Sequence, residues 1–279
     1  MLIGPAIGVT SNFIFDNKIT GEFEYVREIS PYVDATSDPE LLISYPNYDP
    51  DSTDLICGRN ASLGWSQTKV ATVKAGDSVG FFVGRGISTP KAMYHPNFAS
   101  AWLSKVEDGN LDAYKGDGDW YKIHQTAGRT SQSLDFNDPA NKPRYDAMKA
   151  LWGTYGVTSV SSSFFSLSRI LFCLVDLSRT NDVQTQWNFT IPATTPPGKY
   201  LVRWESIFPN VQDAQFYVNC AHVEIVNAGD AVQPGEAYKV KIPGLYIRGQ
   251  KDVYFSSYDY GLKGSLDGFV PPKPEVWQG

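Results

Sequence analysis

A glutamine and a tyrosine two positions apart are the first side chains in this chain that could do chemistry together. Gln215 and Tyr217 lie in a short segment that ends at Cys220. Because side chains alternate along a β-strand, these two share one face, while Phe216 and Val218 point to the other. Such a polar face is either a solvated surface or a site, and a histidine upstream favours the site.

Three histidines could serve as bases or metal ligands. His95 lies between a loop and a predicted strand, where ligand-binding residues are common. His124 is interpreted as a packing or surface residue, and His222 is predicted to face solvent. A lone histidine is more often structural than a ligand, so both roles stay open for His95. The sequence has no Cys-x-x-Cys, His-Glu-x-x-His, phosphate-loop or Gly-x-Ser-x-Gly motif.

The composition is that of a globular chain with an ample core. The 279 residues are 42% hydrophobic and 14% aromatic, enough for one large all-β domain or two small ones. A net charge of −6 argues against a nucleic-acid partner, which would need a basic face. No run of about 18 apolar residues occurs, so no transmembrane helix is predicted.

Strand-like runs recur along the chain, with glycine- and proline-rich turns between them. Short strands joined by such loops predict a β-sandwich or barrel. The runs cover residues 10–15, 22–27, 69–73, 78–83 and 183–191, the segments around Tyr200 and Tyr217, and residues 221–226. A two-turn helix is predicted over residues 146–152.

Two regions depart from this pattern. Residues 153–179 are rich in Ser, Phe, Leu and Val, with almost no acidic residue. They are either an inserted strand or hairpin or, as we hypothesise, translated non-coding sequence. Residues 235–279 are rich in Pro, Gly and Tyr, which predicts an ordered loop that wraps the sandwich rather than a second domain.

Several short motifs occur in a recognisable order. His95 is followed seven residues later by Trp102-Leu103, and Gln215-Phe216-Tyr217 is followed by Cys220. Further motifs are residues 54–57, 191–192, 197–198 and 200–201, Arg203, and residues 242–246 and 274–277. In this order they resemble fungal lytic polysaccharide monooxygenases of auxiliary activity family 9, formerly filed among glycoside hydrolases. The resemblance covers most of the chain outside residues 153–179.

This resemblance implies a single domain over residues 1–279, an immunoglobulin-like β-sandwich with long loops and one copper ion. It implies oxidative cleavage of cellulose or a related β-glucan, using O2 or H2O2 and an external electron donor, by a secreted monomer. His95 corresponds to the second histidine of the copper-binding brace and Tyr217 to the axial ligand. Gln215 corresponds to the residue that orients the oxygen species. Nitrogen ligands in a plane suit Cu(II).

The first copper histidine of the family is missing from the printed sequence. Counting back from residues 8–16, which match the first strand of the family, places it at Ile7. No histidine precedes His95, and Pro209 or Asn210 stands where a further histidine is expected. One imidazole and a phenol hold copper weakly, because a planar site needs about three fixed donors.

Two explanations are open. In the first, which we favour, an upstream exon with a signal peptide and the histidine is missing, since residues 1–9 make no credible signal peptide. In the second, the protein is a catalytically inactive relative that binds carbohydrate or a partner. The glycosylation triplets at Asn60 and Asn188 add little weight to secretion.

The resemblance also implies a disulfide and a sugar-binding surface. Cys57 and Cys220 are expected to pair, which leaves Cys173 alone within residues 153–179. Tyrosines of the C-terminal loop either stack on sugar or pack against the sandwich. Among Tyr246, Tyr254, Tyr258 and Tyr260, we predict sugar contacts for Tyr254 and Tyr258.

Overall fold

The computed structural model describes residues 8–32, 42–61, 67–86, 97–127, 185–256 and 269–279. Two β-sheets dominate these residues, which confirms the predicted all-β sandwich. The strands are β1 Asn12–Phe15, β2 Lys18–Ile19, β3 Ala71–Lys74, β4 Ser78–Phe82, β5 Phe98–Lys105, β6 Trp120–Thr126, β7 Gln186–Thr190, β8 Gly198–Phe208, β9 Gln215–Val226 and β10 Lys239–Val240. A short α-helix, α1, spans Asp54–Cys57, and a 3-10 helix spans Glu236–Tyr238; no helix of the described residues could cross a membrane.

The strand order places the longest strands at the centre of the larger sheet. The smaller sheet runs β2-β1-β4-β7, and the larger runs β10-β6-β5-β8-β9-β3. β8 and β9 pair antiparallel from Gly198↔Ile225 to Phe208↔Gln215. β3 pairs with β9 over Val223–Val226, and along the first half of β9 the described residues add the single bridges Val26↔Ala221 and Asn47↔Phe216.

The space between the sheets is filled by apolar side chains, which we call the inner cluster. Alternate residues of the central strands enter it, as a half-buried strand requires. β8 contributes Tyr200, Val202 and Trp204, and β9 contributes Val223 and Ile225. Facing them across the gap are Phe13, Val79, Phe81, Trp187 and Phe189 of the smaller sheet.

The opposite side of the larger sheet, here called the outer face, is covered by loops instead of a second sheet. Cys57 of α1 and Cys220 of β9 form the disulfide that the resemblance implied. Arg203 of β8 donates to the carbonyls of Leu55 and Ile56, which ties α1 to the sheet. A second hydrophobic cluster, with Trp102 and Phe216, lies under these loops.

Two of the strand predictions are corrected by the structure. Residues 22–27 alternate like a strand, but Gly21 and Glu24 form a turn, and Phe23 takes a left-handed conformation with φ 51°. A side-chain hydrogen bond from the Gly21 N–H to Glu24 Oε2 outweighs the alternation here. The predicted strand at residues 221–226 is the second half of β9.

The predictions for the helix, for residues 153–179 and for the C-terminal region fall partly outside the described residues. The predicted helix over residues 146–152 and the region 153–179 lie outside the described residues. Within the C-terminal region, β10 pairs with β6, and Trp277 donates a backbone hydrogen bond to Lys122 of β6.

Candidate functional site at one end of the sandwich

The predicted site residues lie at the end of the larger sheet where β9 begins. The register aligns Phe98 of β5 with Ile207 of β8, and Ile207 with Phe216 of β9. Strand β5 therefore begins at the same end of the sheet as Tyr217, with β8 between them, although the two are more than a hundred positions apart in the sequence. Asn97, the first described residue before β5, is buried at this same end.

Gln215 and Tyr217 share a face, as predicted from their spacing. The Tyr217 hydroxyl donates to Gln215 Oε1 at 2.6 Å. Gln215 is 9% exposed and Tyr217 is half-buried, so the pair is neither core nor freely solvated. A phenol held by a neighbouring amide in this way has a fixed position at the edge of the core.

The start of the described chain lies against this pair. Gly8 and Tyr217 line one cavity, together with Tyr45, Ser206 and Asn219. Thr10 Oγ1 donates to Asn219 Oδ1 at 2.7 Å across 209 positions of sequence, and the bond is buried. Residues 8–10 and the first half of β9 are therefore tied together close to Tyr217.

One arginine positions the loop that forms another wall of the cavity. Arg59 donates to four backbone carbonyls, those of Ser30, Leu42, Ile43 and Tyr45. Burial lowers the pKa of this guanidinium from its ordinary value. The loop brings the Tyr45 ring to within 5.5 Å, centroid to centroid, of Tyr32. Tyr32 is 53% exposed, so its ring is accessible for stacking.

Two positions of the predicted copper site lie in segments that the structure does not describe. His95 and Ile7 both lie outside the described residues. Within the described ranges, no three His, Cys, Asp or Glu side chains come together in a group that could hold a metal. Of the predicted metal ligands, Tyr217 is the one that the structure describes.

The prediction that His222 faces solvent is wrong. Its side chain is fully buried on the outer face, where its Nε2 accepts a hydrogen bond from Arg27 Nε at 2.8 Å. Burial, with a contribution from the adjacent Arg27 cation, lowers the His222 pKa to about 3. The guanidinium also donates to the carbonyls of Ala61, Leu111 and Tyr114, which close loops over this face.

His124 packs at the other side of the sheet, as one of its two predicted roles required. Its Nε2 accepts a hydrogen bond from Trp187 Nε1 at 3.2 Å and contacts Thr126 Oγ1 at 2.8 Å. Burial lowers its pKa to about 4. The ring is therefore neutral near pH 7 and joins the two sheets.

Two of the four C-terminal tyrosines lie within the described residues, and both are buried. Tyr246 is buried, and its hydroxyl donates to Glu205 Oε2 at 2.5 Å. Tyr254 is 6% exposed and belongs to the outer hydrophobic cluster, which favours packing over a sugar contact. Tyr258 and Tyr260 lie outside the described residues.

Sequence reasoning missed Thr10, Asn219 and Arg59. A usable signal existed for Asn219, because it follows Gln215 and Tyr217 at the same two-residue spacing and so shares their face. Thr10 and Arg59 gave no such signal, since their partners are set by loop closure over long stretches of sequence.

A family model and curated relatives both match this chain. The model is described as Auxiliary Activity family 9, formerly GH61, and matches residues 8–264. A lytic polysaccharide monooxygenase U from Thermothielavioides terrestris is 30% identical over 93% of this chain and 88% of the relative. A lytic polysaccharide monooxygenase G from Aspergillus tamarii is 31% identical over 97% of this chain and 66% of the relative.

Solved structures share the fold. The crystal structure of HiLPMO9B superimposes with a TM-score of 0.63 at 18% identity and covers 98% of this chain and all of the other. A structure described as a cellulose-active polysaccharide monooxygenase from M. thermophila gives a TM-score of 0.62 at 19% identity, over 98% of this chain and 99% of the other. At these identities the match concerns the fold alone.

Proposed function

Since this chain belongs to Auxiliary Activity family 9, formerly GH61, we propose that it takes part in copper-dependent oxidative cleavage of cellulose or a related β-glucan. O2 or H2O2 and an external electron donor would be the other reactants. The observation that supports this most is the shared cavity of Gly8 and Tyr217. Gly8 directly follows position 7, where the family resemblance places the first copper histidine.

The proposed donors are His95, Tyr217 and the group at position 7. The pairing of Phe98 with Ile207 supports this set, because β5 begins three positions after His95 and at the same end of the sheet as Tyr217. In the printed sequence, however, position 7 is an isoleucine, which supplies no ring nitrogen. The residues present therefore fit copper only in part, and we propose weak binding by the chain as printed.

Gln215 would orient the oxygen species by hydrogen bonding. Its Oε1 accepts the Tyr217 hydroxyl, which leaves the amide N–H2 of Gln215 for other partners in the site. An amide donor held by a partly buried neighbour is suited to hydrogen-bond a small oxygen species. Copper, when bound, would supply the redox chemistry, and these two side chains would hold its surroundings in place.

The exposed ring of Tyr32 is the described side chain that best fits a sugar contact. It packs against Tyr45, a wall of the cavity that Tyr217 lines. Aromatic rings with one free face present a large, rigid and amphipathic surface. We propose that Tyr32 stacks on a glucose unit next to the site, and Tyr258 stays a proposed second contact.

A copper titration tests the proposal directly. The printed chain is compared with a variant that begins at residue 7 and carries Ile7→His, so that its free amine and ring can both bind. We expect weak Cu(II) binding by the printed chain and tight binding of one ion per molecule by the variant in calorimetry. Tight binding by the printed chain, or none by the variant, would contradict the proposed donor set.

Activity is measured on the same two proteins with swollen cellulose and ascorbate. We expect oxidised cello-oligosaccharides in mass spectra from the Ile7→His variant and none from the printed chain. The matched control adds Tyr217→Phe, which keeps the ring and removes the phenol oxygen. Equal product yield from that control would refute a ligand role for Tyr217.

The isoleucine at position 7 favours one second candidate, a catalytically inactive relative that binds carbohydrate. Cellulose pull-down without copper or reductant separates the two. If the Ile7→His variant binds both cellulose and copper yet yields no oxidised sugar, carbohydrate binding alone is the better description. In either case Tyr32→Ala should weaken cellulose binding.

A further inference from the structure

The cavity beside Tyr217 is lined by several residues whose buried polar atoms the proposed function does not use. Trp204, Ser206 and Asn219 all line this cavity, and all three are 4% exposed or less. Trp204 Nε1, Ser206 Oγ and Asn219 Nδ2 have no hydrogen-bond partner within the part of the chain that the structure describes. These three atoms come from paired positions of β8 and β9, since Trp204 pairs with Asn219 and Ser206 with Tyr217.

Unpartnered polar atoms of this kind are rare in folded proteins, because each one loses its hydrogen bonds to water on burial. Their three side chains line one cavity, and ordered water is the usual partner of such buried groups. The room in this cavity is about 30 Å³, and one water molecule needs about 10–15 Å³ by the same measure. The cavity is therefore large enough for two.

The chemistry of the wall also selects the ligand. The indole N–H of Trp204 and the amide N–H2 of Asn219 can only donate, and the Ser206 hydroxyl can donate or accept. A ligand must therefore accept at least two hydrogen bonds from a small volume. A water oxygen does so and needs no compensating charge.

We propose that this cavity is a binding site for two ordered water molecules, held by Trp204, Ser206 and Asn219. Asn219 has a double role, because its Oδ1 accepts from Thr10 at 2.7 Å while its Nδ2 donates to the water. It is thus a positioning residue that fixes the chain start beside Tyr217. This inference goes beyond the proposed function and needs neither copper nor sugar.

Removing the Ser206 hydroxyl should change the folding equilibrium constant, and the direction of the change depends on whether the cavity holds water. In a hydrated cavity Ser206→Ala loses a hydrogen bond to water, and we expect the folding equilibrium constant to fall by about 5- to 30-fold. In a dry cavity the same change removes an unsatisfied group, and the constant rises. The matched control is Ser104→Ala, since Ser104 Oγ is buried but fully partnered by Tyr114 and Asp119.

The unaltered protein provides the second measurement. Magnetisation transfer from long-lived water to the indole N–H of Trp204 is recorded by NMR, with the signal assigned through Trp204→Phe. We expect a cross-peak between them. Either a missing cross-peak or an unchanged or raised folding constant in Ser206→Ala overturns the water site.

The positioning role of Asn219 is tested at the other end of its hydrogen bond. Thr10→Val removes the donor but keeps the shape, and Thr10→Ser restores the hydroxyl. The Val9 N–H donates to Arg85 O at 2.7 Å, so its hydrogen-exchange rate reports on the chain start. We expect roughly tenfold faster exchange in Thr10→Val, with rescue in Thr10→Ser; equal rates in all three proteins refute the tie. None of these results bears on copper or cellulose, so failure here leaves the proposed function standing, and the reverse holds too.

Discussion

The two faces of the larger sheet are stabilised in different ways. The inner face meets a second sheet, and the apolar side chains of both sheets form one cluster between them. The outer face meets loops, and there Arg27, Arg203, Glu205 and His222 are buried to zero exposure. Because loops present backbone carbonyls that need donors, the cationic side chains of this face act as their hydrogen-bond partners.

This difference between the two faces explains why the candidate site lies at the end of β9. Gln215 and Tyr217 are on the inner side of β9, but at its end, where the apolar packing stops and the chain start and the Arg59-bound loop take over. The inner face fixes the strand register, and the outer loops fix what surrounds the exposed end. The following predictions each remove a contact from one of the two faces or, as a reference, from the protein surface.

Loss of the disulfide should give the largest effect. Cys57 and Cys220 enclose 163 positions of sequence, and the chain-entropy model assigns such a link about 4–5 kcal/mol of stability. We expect Cys57→Ala with Cys220→Ala to lower the free energy of unfolding by about that amount in urea titrations. The control is Cys173→Ala, which should leave the bond between Cys57 and Cys220 intact in peptide mass spectra.

Removing one charge from the outer face should cost nearly as much. Arg203 and Glu205 form a fully buried ion pair at 2.5 Å, and Glu205 also accepts from Tyr246. Glu205→Gln leaves the guanidinium uncompensated, and we expect a loss of about 3–5 kcal/mol in the free energy of unfolding.

Two matched variants compare the faces. Leu103→Ala on the inner face should cost about 2–5 kcal/mol through a cavity and show no dependence on salt. Replacing both Arg203 and Glu205 by methionine should cost less than Glu205→Gln alone, because no charge is left unpaired. If the double variant is the less stable one, the outer face is held by the charges themselves rather than by their mutual compensation.

Acid should remove more stability through the outer face than through the inner one. His222 has a folded-state pKa of about 3 against an ordinary value of 6.5, so its neutral form stabilises the fold fully above pH 6.5. That contribution is lost as the pH falls from 6.5 toward 3, and protonation would set two cations side by side at Arg27. We expect His222→Gln to flatten the fall of the unfolding midpoint over this range.

The same measurement on His124→Gln provides the comparison. The His124 pKa is lowered to about 4 by burial alone, without a neighbouring cation. Its acid-dependent loss should therefore be smaller than that of His222. An equal or larger flattening in His124→Gln would show that Arg27 does not control the acid response.

A surface ion pair should give the smallest effect. Lys69 and Glu24 lie 3.0 Å apart and are exposed to solvent, which screens their attraction. Glu24→Gln is expected to leave the unfolding midpoint unchanged within error at physiological salt. A clear drop would show that the turn at Gly21, which also bonds to Glu24, matters to the fold.

The sequence predicted the parts of the site that depend on alternation. The shared face of Gln215 and Tyr217, the apolar inner side of β8 and the sandwich class all follow from a two-residue period. The family resemblance supplied the disulfide and the candidate ligands. The strand predicted at residues 22–27 failed because a turn with its own side-chain hydrogen bond has the same local pattern of apolar residues.

What alternation cannot reveal is which face a loop covers. His222 shares the face of Phe216 and Cys220 by alternation, and there it is buried beneath loops and against Arg27, 195 positions away in the sequence. The cavity that Gly8 and Tyr217 both line, and the hydrogen bond from Thr10 to Asn219, likewise exist only in the closed structure. By itself the sequence determined the period and composition of the strands, because those are local properties of the chain. The tertiary structure alone decided the partners of buried polar groups, because hydrogen bonds between distant segments depend on how the loops close.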